Sequence, residues 1–98
     1  MNELRFEWHA AKAAANLAKH GVSFVEAKSV FNDENAILIA DPEHSESEDR
    51  FVLLGLSSAA KFLVVCHCER KGGSTIRIIS ARKADRTERN TYLRRNRP

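Results

Sequence analysis

Arginine side chains interrupt an apolar stretch near the end of the chain and continue beyond it. The stretch covers residues 76–82 and contains Arg77 and Arg82. The cationic residues that follow it are Lys83, Arg86 and Arg89. Burying a fixed cation costs several kcal/mol, so an arginine within an apolar strand needs a charged partner or an open face. Guanidinium groups at a sheet end and on the next helical turn bind phosphates well. The segment therefore indicates a phosphate-binding surface. A charge-rich edge strand followed by a solvated helix is the alternative.

The glycine pair Gly72-Gly73 predicts a tight hairpin turn and, with it, a strand register. With both glycines in the turn, Glu69 lies opposite Ile76 and His67 lies opposite Ile78. Continued along both strands, this register places four polar side chains on one face, namely His67, Glu69, Ser80 and Arg82. The opposite face then holds Cys66, Cys68, Arg77, Ile79 and Ala81. A slip of one residue would undo this grouping.

Imidazole, carboxylate and guanidinium groups on one face are the parts that a metal-independent ribonuclease needs. A base removes the proton of the ribose 2′-hydroxyl, an acid protonates the leaving 5′-oxygen, and cations stabilise the charge on phosphorus. We therefore assign Arg82 to charge stabilisation and His67 and Glu69 to proton transfer. His67 is the best single proton carrier because its ordinary pKa is about 6.5. A histidine hydrogen-bonded to Glu69 on an exposed face fits the spacing equally well.

Other cationic and aromatic residues extend this candidate site. Arg50 opens a predicted strand and Arg77 lies within one, so either can hold a flanking phosphate. Arg50 can equally pair with the acidic residues that precede it. Tyr92 is a candidate for base stacking or proton handling, and packing on the sheet is its alternative. The remaining predicted RNA-binding residues are Lys12, Lys19, Lys83 and Arg86.

Charge is unevenly distributed along the chain. The net charge is +3, but residues 41–49 hold five carboxylates and no Lys or Arg. Residues 82–97 hold seven Lys or Arg against two carboxylates, a local net charge of +5. Such a basic end favours a polyanionic partner over a membrane. No apolar run approaches the roughly 18 residues of a membrane span, and the N-terminus lacks a signal-peptide pattern, so we expect a cytoplasmic protein.

Size and cysteine content narrow the class of protein further. A chain of 98 residues with 43% hydrophobic residues can bury one small core, so we expect a single domain over residues 1–98. Cys66 and Cys68 share one face of a predicted strand, where they suit small buried hydrophobes better than a disulfide. Structural zinc normally takes four ligands at a recognisable spacing, and the sequence has no second cysteine pair. We expect neither a metal nor a cofactor.

Hydrophobic spacing and cap residues predict an α+β scaffold for these side chains. The first helix is predicted over residues 10–19, with Ala10, Ala14 and Leu17 facing the core and Gly21 ending it. Ser23 and Asp85 each precede a glutamate by three residues, which is the capping-box spacing, and start helices that reach about residues 31 and 94. Strands are predicted at 36–40, 50–57, 61–70 and 75–83, after a short strand start within 3–8. The expected architecture is two N-terminal helices packed on an antiparallel sheet of about four strands, with a C-terminal helix.

Motifs throughout the chain resemble the BrnT family. The N-terminal match is Phe6-Glu7-Trp8, Lys12, Asn16 and the run from Lys19 to Phe24. The central match is Ala27, Val30-Phe31, Asp41-Pro42, His44-Ser45, Glu48, Arg50-Phe51 and Gly55. The C-terminal match is the run from Ile76 to Arg82, then Ala84, Glu88-Arg89 and Tyr92. Nearly the entire chain is covered, and the paired terminal motifs are specific.

This resemblance implies a ribonuclease toxin of a bacterial type II toxin–antitoxin module, with a compact RelE-like fold. It also implies neutralisation by a BrnA-type antitoxin, in a complex of two toxins and two antitoxins that binds operator DNA. Arg82, Glu88 and Tyr92 match the family better than His67 does. Where the family usually places aspartate after the tryptophan, this chain has His9, a weaker helix cap that costs about 1 kcal/mol.

Two other classes of function explain the same arginines. A non-catalytic nucleic-acid-binding module would gain affinity from counterion release without any chemistry. A protein-interaction domain would use its basic helix to dock an acidic partner. Replacing His67 or Arg82 separates these classes, because only a ribonuclease loses turnover.

Overall fold

One five-stranded sheet carries helices on both of its faces. The computed structural model describes residues 4–41, 43 and 49–97. The strands are β1 (Arg5–Glu7), β2 (Ile37–Ala40), β3 (Arg50–Leu56), β4 (Phe62–Arg70) and β5 (Thr75–Lys83). The helices are α1 (Ala10–His20), α2 (Phe24–Ser29) and α3 (Arg86–Arg95), and single 3-10 turns cover Val30–Asn32 and Lys71–Gly73.

The strand order is β1-β5-β4-β3-β2, and the sheet is mixed. Strands β2 to β5 are antiparallel neighbours, whereas β1 pairs with β5 in parallel, with Phe6 opposite Ile76. The prediction of about four antiparallel strands is therefore wrong in strand number and in direction at one edge. Three residues are too few to show a partner or a direction, and β1 pairs with a segment about seventy residues away.

The predicted bounds of the other helices and strands agree with the structure to within one or two residues, because local sequence signals mark their ends. The Asp85 side chain accepts a hydrogen bond from the Glu88 N–H, and the Glu88 side chain accepts one from the Asp85 N–H, so the predicted capping box is complete. The Ser23 hydroxyl likewise accepts from the Glu26 N–H at 3.0 Å. The Glu26 carboxylate instead accepts a hydrogen bond from the Ser57 hydroxyl at 2.7 Å, which ties α2 to the end of β3.

Two apolar layers lie on the two faces of the sheet. On the first, the α1/α2 face, buried residues of α2 and the turn after it pack on residues of β3, β4 and β5 that include Leu53, Val65 and Ile78. On the second, the α3 face, Tyr92 packs with Leu54 and Val64. Among residues 4–41, 43 and 49–97, helix α3 is the only helix on this face, and it covers only part of it.

Helix α1 packs through an asparagine and not through the predicted alanine and leucine positions. Ala10, Ala14 and Leu17 are exposed, whereas Asn16 is buried. The Asn16 amide donates to the Val22 and Ala81 carbonyls at 2.9 and 2.8 Å and accepts from the Ala81 N–H at 3.1 Å. Strand β1 pairs with β5 only as far as residue 77, so the Asn16 side chain supplies the hydrogen bonds that the β5 edge needs beyond it.

Replacing His9 with aspartate is expected to stabilise the protein by about 1 kcal/mol. His9 occupies the N-cap of α1 with extended backbone angles, but its side chain makes no capping hydrogen bond, and the first turn holds no acidic residue. Aspartate there accepts a hydrogen bond from the first turn and opposes the positive end of the helix dipole. Urea denaturation followed by circular dichroism measures the change. His9→Ala is the control with little expected effect, and equal stability of the aspartate variant would contradict the capping argument.

Candidate functional site

A bulge in β5 separates residues that the sequence had grouped together. Near the turn the predicted register is confirmed, with Glu69 opposite Ile76 and His67 opposite Ile78. Gly72 and Gly73 adopt the positive φ angles, 68° and 91°, that this tight turn requires.

Beyond His67 the register shifts by one residue. Ser80 lies opposite Cys66 and Arg82 lies opposite Val64, so Ile79 is the extra residue of the bulge. Directly opposed side chains share a face of the sheet. Ser80 and Arg82 therefore lie on the α3 face with Cys66. The prediction that Ser80 and Arg82 share a face with His67 and Glu69 is therefore wrong. The prediction that Cys66 and Arg77 lie on the face opposite Arg82 is also wrong.

His67 lies inside the α1/α2 layer, with its side chain fully buried. Its ring contacts the edge of Phe31 at a centroid distance of 4.9 Å and stacks on Phe51 at 5.9 Å. Within the described part of the chain, Nε2 has no hydrogen-bond partner, and the Glu69 carboxylate at 3.8 Å is too distant to provide one. Burial lowers the pKa of His67, and the Val65 carbonyl and Glu69 compensate only in part. A buried, neutral imidazole on this face cannot share a substrate with Arg82.

Replacing His67 with leucine is expected to flatten the dependence of stability on acid pH. The pKa of His67 is lowered in the folded state. Below about pH 6.5, His67 therefore binds a proton in the unfolded chain but stays neutral in the folded chain. The free energy of unfolding of the wild type therefore falls as the pH drops from about 6.5 to 5. Leucine removes this contribution and keeps the site apolar.

Denaturant titrations at pH 7, 6 and 5 measure this difference. His9→Gln, at an exposed position, serves as the matched control and should keep the wild-type profile. A leucine variant that loses stability toward acid pH as steeply as the wild type would contradict the buried-histidine argument.

The open part of the α3 face carries a set of arginines on adjacent strands. The register places Arg50 opposite Cys68 and Cys68 opposite Arg77. Arg70 lies opposite Thr75, two residues after Cys68, and therefore on the same face as Cys68. Parallel pairing adds Glu7 beside Arg77. Neighbouring strands lie about 4.8 Å apart, so these side chains form one continuous surface. We call it the arginine face, and its members are Glu7, Arg50, Arg70, Arg77 and Arg82.

Glu7 lies between two guanidinium groups of the arginine face. Its two carboxylate oxygens lie 3.5 Å from Arg70 Nη1 and 3.5 Å from Arg77 Nη1. The side chain is 42% exposed, so a ligand on this face can reach it. Contacts of this length leave lone pairs on the carboxylate for a further hydrogen bond.

Arg82 is held by Glu88 in a bidentate pair. Both guanidinium Nη atoms donate to the Glu88 carboxylate at 2.8 Å, and Glu88 also accepts from the Asp85 N–H at 2.8 Å. Hydrogen bonding to Glu88 raises the pKa of Arg82, and the same contact lowers the pKa of Glu88. The side chain of Arg82 is 44% exposed, so a charged and oriented guanidinium keeps free donors for an anion. Glu88 thus positions Arg82 and caps α3 with one carboxylate.

Tyr92 serves the packing of α3 and does not present a ring to solvent. It is buried against the edge of Phe62, and its hydroxyl donates to Asp33 at 2.7 Å. Burial and the Asp33 hydrogen bond raise the pKa of Tyr92 to about 12. The predicted stacking or proton-handling role is wrong, because the ring has no open face and the hydroxyl keeps its proton at neutral pH.

The remaining predicted cations divide between the two faces. Arg50 and Arg77 belong to the arginine face, and Arg86 is exposed at the start of α3. Lys83 lies opposite Leu63, on the α1/α2 face. Lys12 and Lys19 are exposed on α1, which packs on that same face. The structure therefore separates these three lysines from the arginines.

Sequence reasoning missed Glu7 and Arg70 as site residues. Arg70 continues the alternation of Cys66 and Cys68, a signal that could have found it. Glu7 lies within the N-terminal motif, but only the parallel pairing of β1 brings it to Arg77. The acidic segment proposed as an alternative partner for Arg50, and the residues His44-Ser45 and Glu48, lie largely or wholly outside the described residues.

Three general features of the described residues complete the description. Among them, no three His, Cys, Asp or Glu side chains are grouped so as to hold a metal ion. Cys66 and Cys68 lie on the α3 face, opposite Val52 and Arg50, and they form no disulfide with each other. None of the helices in 4–41 and 49–97 is both long enough and apolar enough to pass through a membrane.

Comparison with known proteins places the chain among toxins. A family model described as "Ribonuclease toxin, BrnT, of type II toxin-antitoxin system" matches residues 8–88. The crystal structure of the Brucella abortus ribonuclease toxin BrnT superimposes with a TM-score of 0.64 at 20% sequence identity, covering 85% of this chain and 99% of that one. At this identity the likeness shows a shared fold. No curated protein matches the chain.

Proposed function

The chain belongs to the BrnT family of ribonuclease toxins of type II toxin–antitoxin systems, and we propose that its arginine face binds an RNA strand and cleaves it. The observation that supports this most is the placement of Arg50 on β3, Arg70 on β4 and Arg77 on β5, three adjacent strands of one face, with the Glu7 carboxylate of β1 beside Arg77. A row of cations on a sheet face neutralises successive phosphates and draws affinity from counterion release. The face thus combines a binding surface with a candidate proton acceptor.

The proposed reaction is an intramolecular transesterification. The ribose 2′-oxygen attacks the adjacent phosphorus, the bond from phosphorus to the 5′-oxygen breaks, and the products are a 2′,3′-cyclic phosphate and a 5′-hydroxyl. Glu7 accepts the 2′-hydroxyl proton, and water at the open face protonates the leaving 5′-oxygen. Arg77, which lies beside Glu7, stabilises the additional negative charge on the phosphorane oxygens. Arg82 lies five residues farther along β5, so it binds another phosphate of the same strand and helps to align the reacting one. Guanidinium groups supply the positive charge, so the proposal requires no metal.

The roles of the flanking residues follow from their contacts. Arg70 and Arg77 hold the Glu7 carboxylate and stay near the same phosphate, while Arg50 binds a neighbouring one. Glu88 acts as a positioning residue through Arg82. His67, Glu69 and Tyr92 take no part, because they lie in or against the apolar layers.

The biological setting is part of the same proposal. Cleavage in the cytoplasm would inhibit translation and growth, and a BrnA-type antitoxin would neutralise the toxin. The complex would hold two copies of each protein and bind operator DNA.

One experiment separates this proposal from a module that only binds RNA. Purified protein is incubated with end-labelled RNA in EDTA, and the product termini are analysed. We expect cleavage with 2′,3′-cyclic phosphate and 5′-hydroxyl ends. A Lys12→Ala protein, altered away from the arginine face, is the matched control and should cleave equally. Tight binding of intact RNA would favour the binding module, and cleavage only with added Mg²⁺ would overturn the metal-independent mechanism.

A further inference from the structure

Strand β2 leaves an apolar edge of the sheet open. It is the last strand on its side, and among residues 4–41, 43 and 49–97 no strand pairs with its outer edge. Leu38 is 52% exposed and Ile39 is 49% exposed. Isolated exposed apolar side chains are common, but a free edge strand with an exposed apolar side chain on each face, here Leu38 and Ile39, is a template for pairing with another chain.

The hydrogen-bond pattern shows which backbone groups point outward. The Asp41 N–H donates to the Arg50 carbonyl at 2.9 Å, so Asp41 and Arg50 exchange bonds across β2 and β3. Residues of an antiparallel ladder alternate between facing the partner strand and facing away. Ile37 and Ile39 therefore bond to β3, whereas Leu38 and Ala40 direct their N–H and C=O groups to the open edge.

A cavity on the α1/α2 face adjoins this edge. Its volume is about 220 Å³, and most of its lining is apolar, with the polar side chains of Asp33, His67 and Glu69 beside Leu4, Phe31, Ala36, Leu38, Leu53 and Ile76. Leu38 lies opposite Leu53 and so points to the same face as the cavity. A strand added beside β2 would alternate in the same way and place one side chain over the cavity. An apolar side chain fits this lining.

Carboxylates flank the edge at both ends. Residues 33–49 contain seven carboxylates and no Lys or Arg, although the chain as a whole has a net charge of +3. Asp33 and Glu34 precede β2, and Asp41 and Glu43 follow it. Hydrogen bonds from the Leu56 N–H and the Tyr92 hydroxyl lower the pKa of Asp33 despite its partial burial, so Asp33 is charged. Such an edge repels RNA and attracts a basic peptide.

The same charges oppose pairing with a second copy of the chain. An antiparallel pair of β2 strands would bring Asp33 and Glu34 of one copy against Asp41 and Glu43 of the other. A parallel pair would bring identical carboxylates side by side. Like charges directly opposite each other destabilise a sheet, so the flanks protect the free edge against self-association.

We propose that β2 is the docking edge for an extended segment of the antitoxin protein of the same module. This inference rests on the proposed function, since a type II toxin has a protein antitoxin. The segment adds a sixth strand that bonds to Leu38 and Ala40. It places a β-branched or small apolar side chain over the cavity and carries Lys or Arg at both ends. Backbone bonding supplies affinity, and the cavity and flanking charges supply specificity.

Hydrogen exchange tests the position of the contact. The amides of Leu38 and Ala40 should exchange rapidly in the free protein and at least tenfold more slowly in the purified complex with the antitoxin. Protection that appears elsewhere while these two amides remain rapid would overturn the proposal. Protection in the free protein, with sedimentation as a dimer, would also overturn it and identify a second copy as the occupant.

Two edge variants test its contribution to affinity. Leu38→Lys places a cation on the apolar edge, and Ala40→Pro removes an outward N–H without breaking a bond to β3. Each should weaken antitoxin binding at least tenfold in calorimetry and leave RNA cleavage unchanged. Leu93→Lys, which charges a leucine that is 53% exposed on α3, is the matched control and should bind normally.

The outcomes for docking and for function are distinguishable. Edge variants that cleave RNA and still bind the antitoxin with wild-type affinity would overturn the docking edge and leave the ribonuclease proposal intact. A wild-type protein that neither cleaves RNA nor binds the antitoxin would overturn both.

Discussion

Arg82→Ala is expected to reduce the rate of RNA cleavage by about 10²-fold, the typical loss when a bound substrate is misaligned at the reacting atoms. The Glu88 carboxylate fixes the guanidinium plane through two 2.8 Å hydrogen bonds, so the guanidinium is already oriented when the RNA phosphate binds. Single-turnover cleavage of a labelled oligonucleotide measures the effect.

Two further variants distinguish an oriented phosphate contact from a general loss of positive potential. Arg82→Lys keeps the charge but cannot form the bidentate pair, so it should restore binding more than turnover. Arg94→Ala removes an arginine from the far end of α3 and should cleave normally. The folded state should tolerate all three changes, because an ion pair that is 44% exposed on its arginine side contributes about 1 kcal/mol or less. Equal cleavage by Arg82→Ala and the wild type would remove Arg82 from the mechanism.

Glu7→Gln is expected to lower the cleavage rate by about 10²–10⁴-fold, the range that a positioned general base supplies. Glutamine keeps the size of the side chain and one acceptor oxygen for Arg70 or Arg77, but it cannot take up the 2′-hydroxyl proton. RNA affinity should be retained or rise slightly, because a negative charge disappears from between two cations. Binding and turnover should therefore change in opposite directions.

A matched carboxylate variant completes this test. Glu34→Gln alters an exposed glutamate beside the β2 edge and should leave cleavage unchanged. The Glu7 ion pairs are long and partly exposed, so Glu7→Gln should unfold at nearly the wild-type denaturant concentration. A parallel loss of affinity and turnover would assign Glu7 to RNA binding and not to proton transfer.

Short-range features of this fold were readable from the sequence because their causes are local. The Gly72-Gly73 turn follows from the positive φ angles that glycine tolerates, and it set the pairing of Glu69 with Ile76. The Asp85 cap needs only a glutamate three residues later. Each of these signals depends on a few neighbouring residues, so no distant contact could change the result.

Features that depend on distant contacts were not readable in this way. The bulge at Ile79 has no signature in a run of apolar residues and cannot be predicted from it. The bulge nevertheless moves Arg82 to the face opposite His67. The inward face of α1 is set by Asn16, because the backbone of Ala81 needs hydrogen bonds where β1 ends. The presence of an asparagine in a helix does not indicate that its side chain will bond to the backbone of a distant strand.

The sequence by itself determined the class of this protein, its elements and the presence of a basic, phosphate-binding surface. These depend on residue type, on periodicity and on motifs that lie along the chain. Only the tertiary structure decided which charged groups act together: Glu7 joins Arg77 through a parallel pairing about seventy residues apart, and one bulge assigns Arg82 to their face and leaves His67 in the core. The physical reason is that a single-residue change of register reverses every side chain beyond it, while the energy that selects the register comes from packing across the whole sheet.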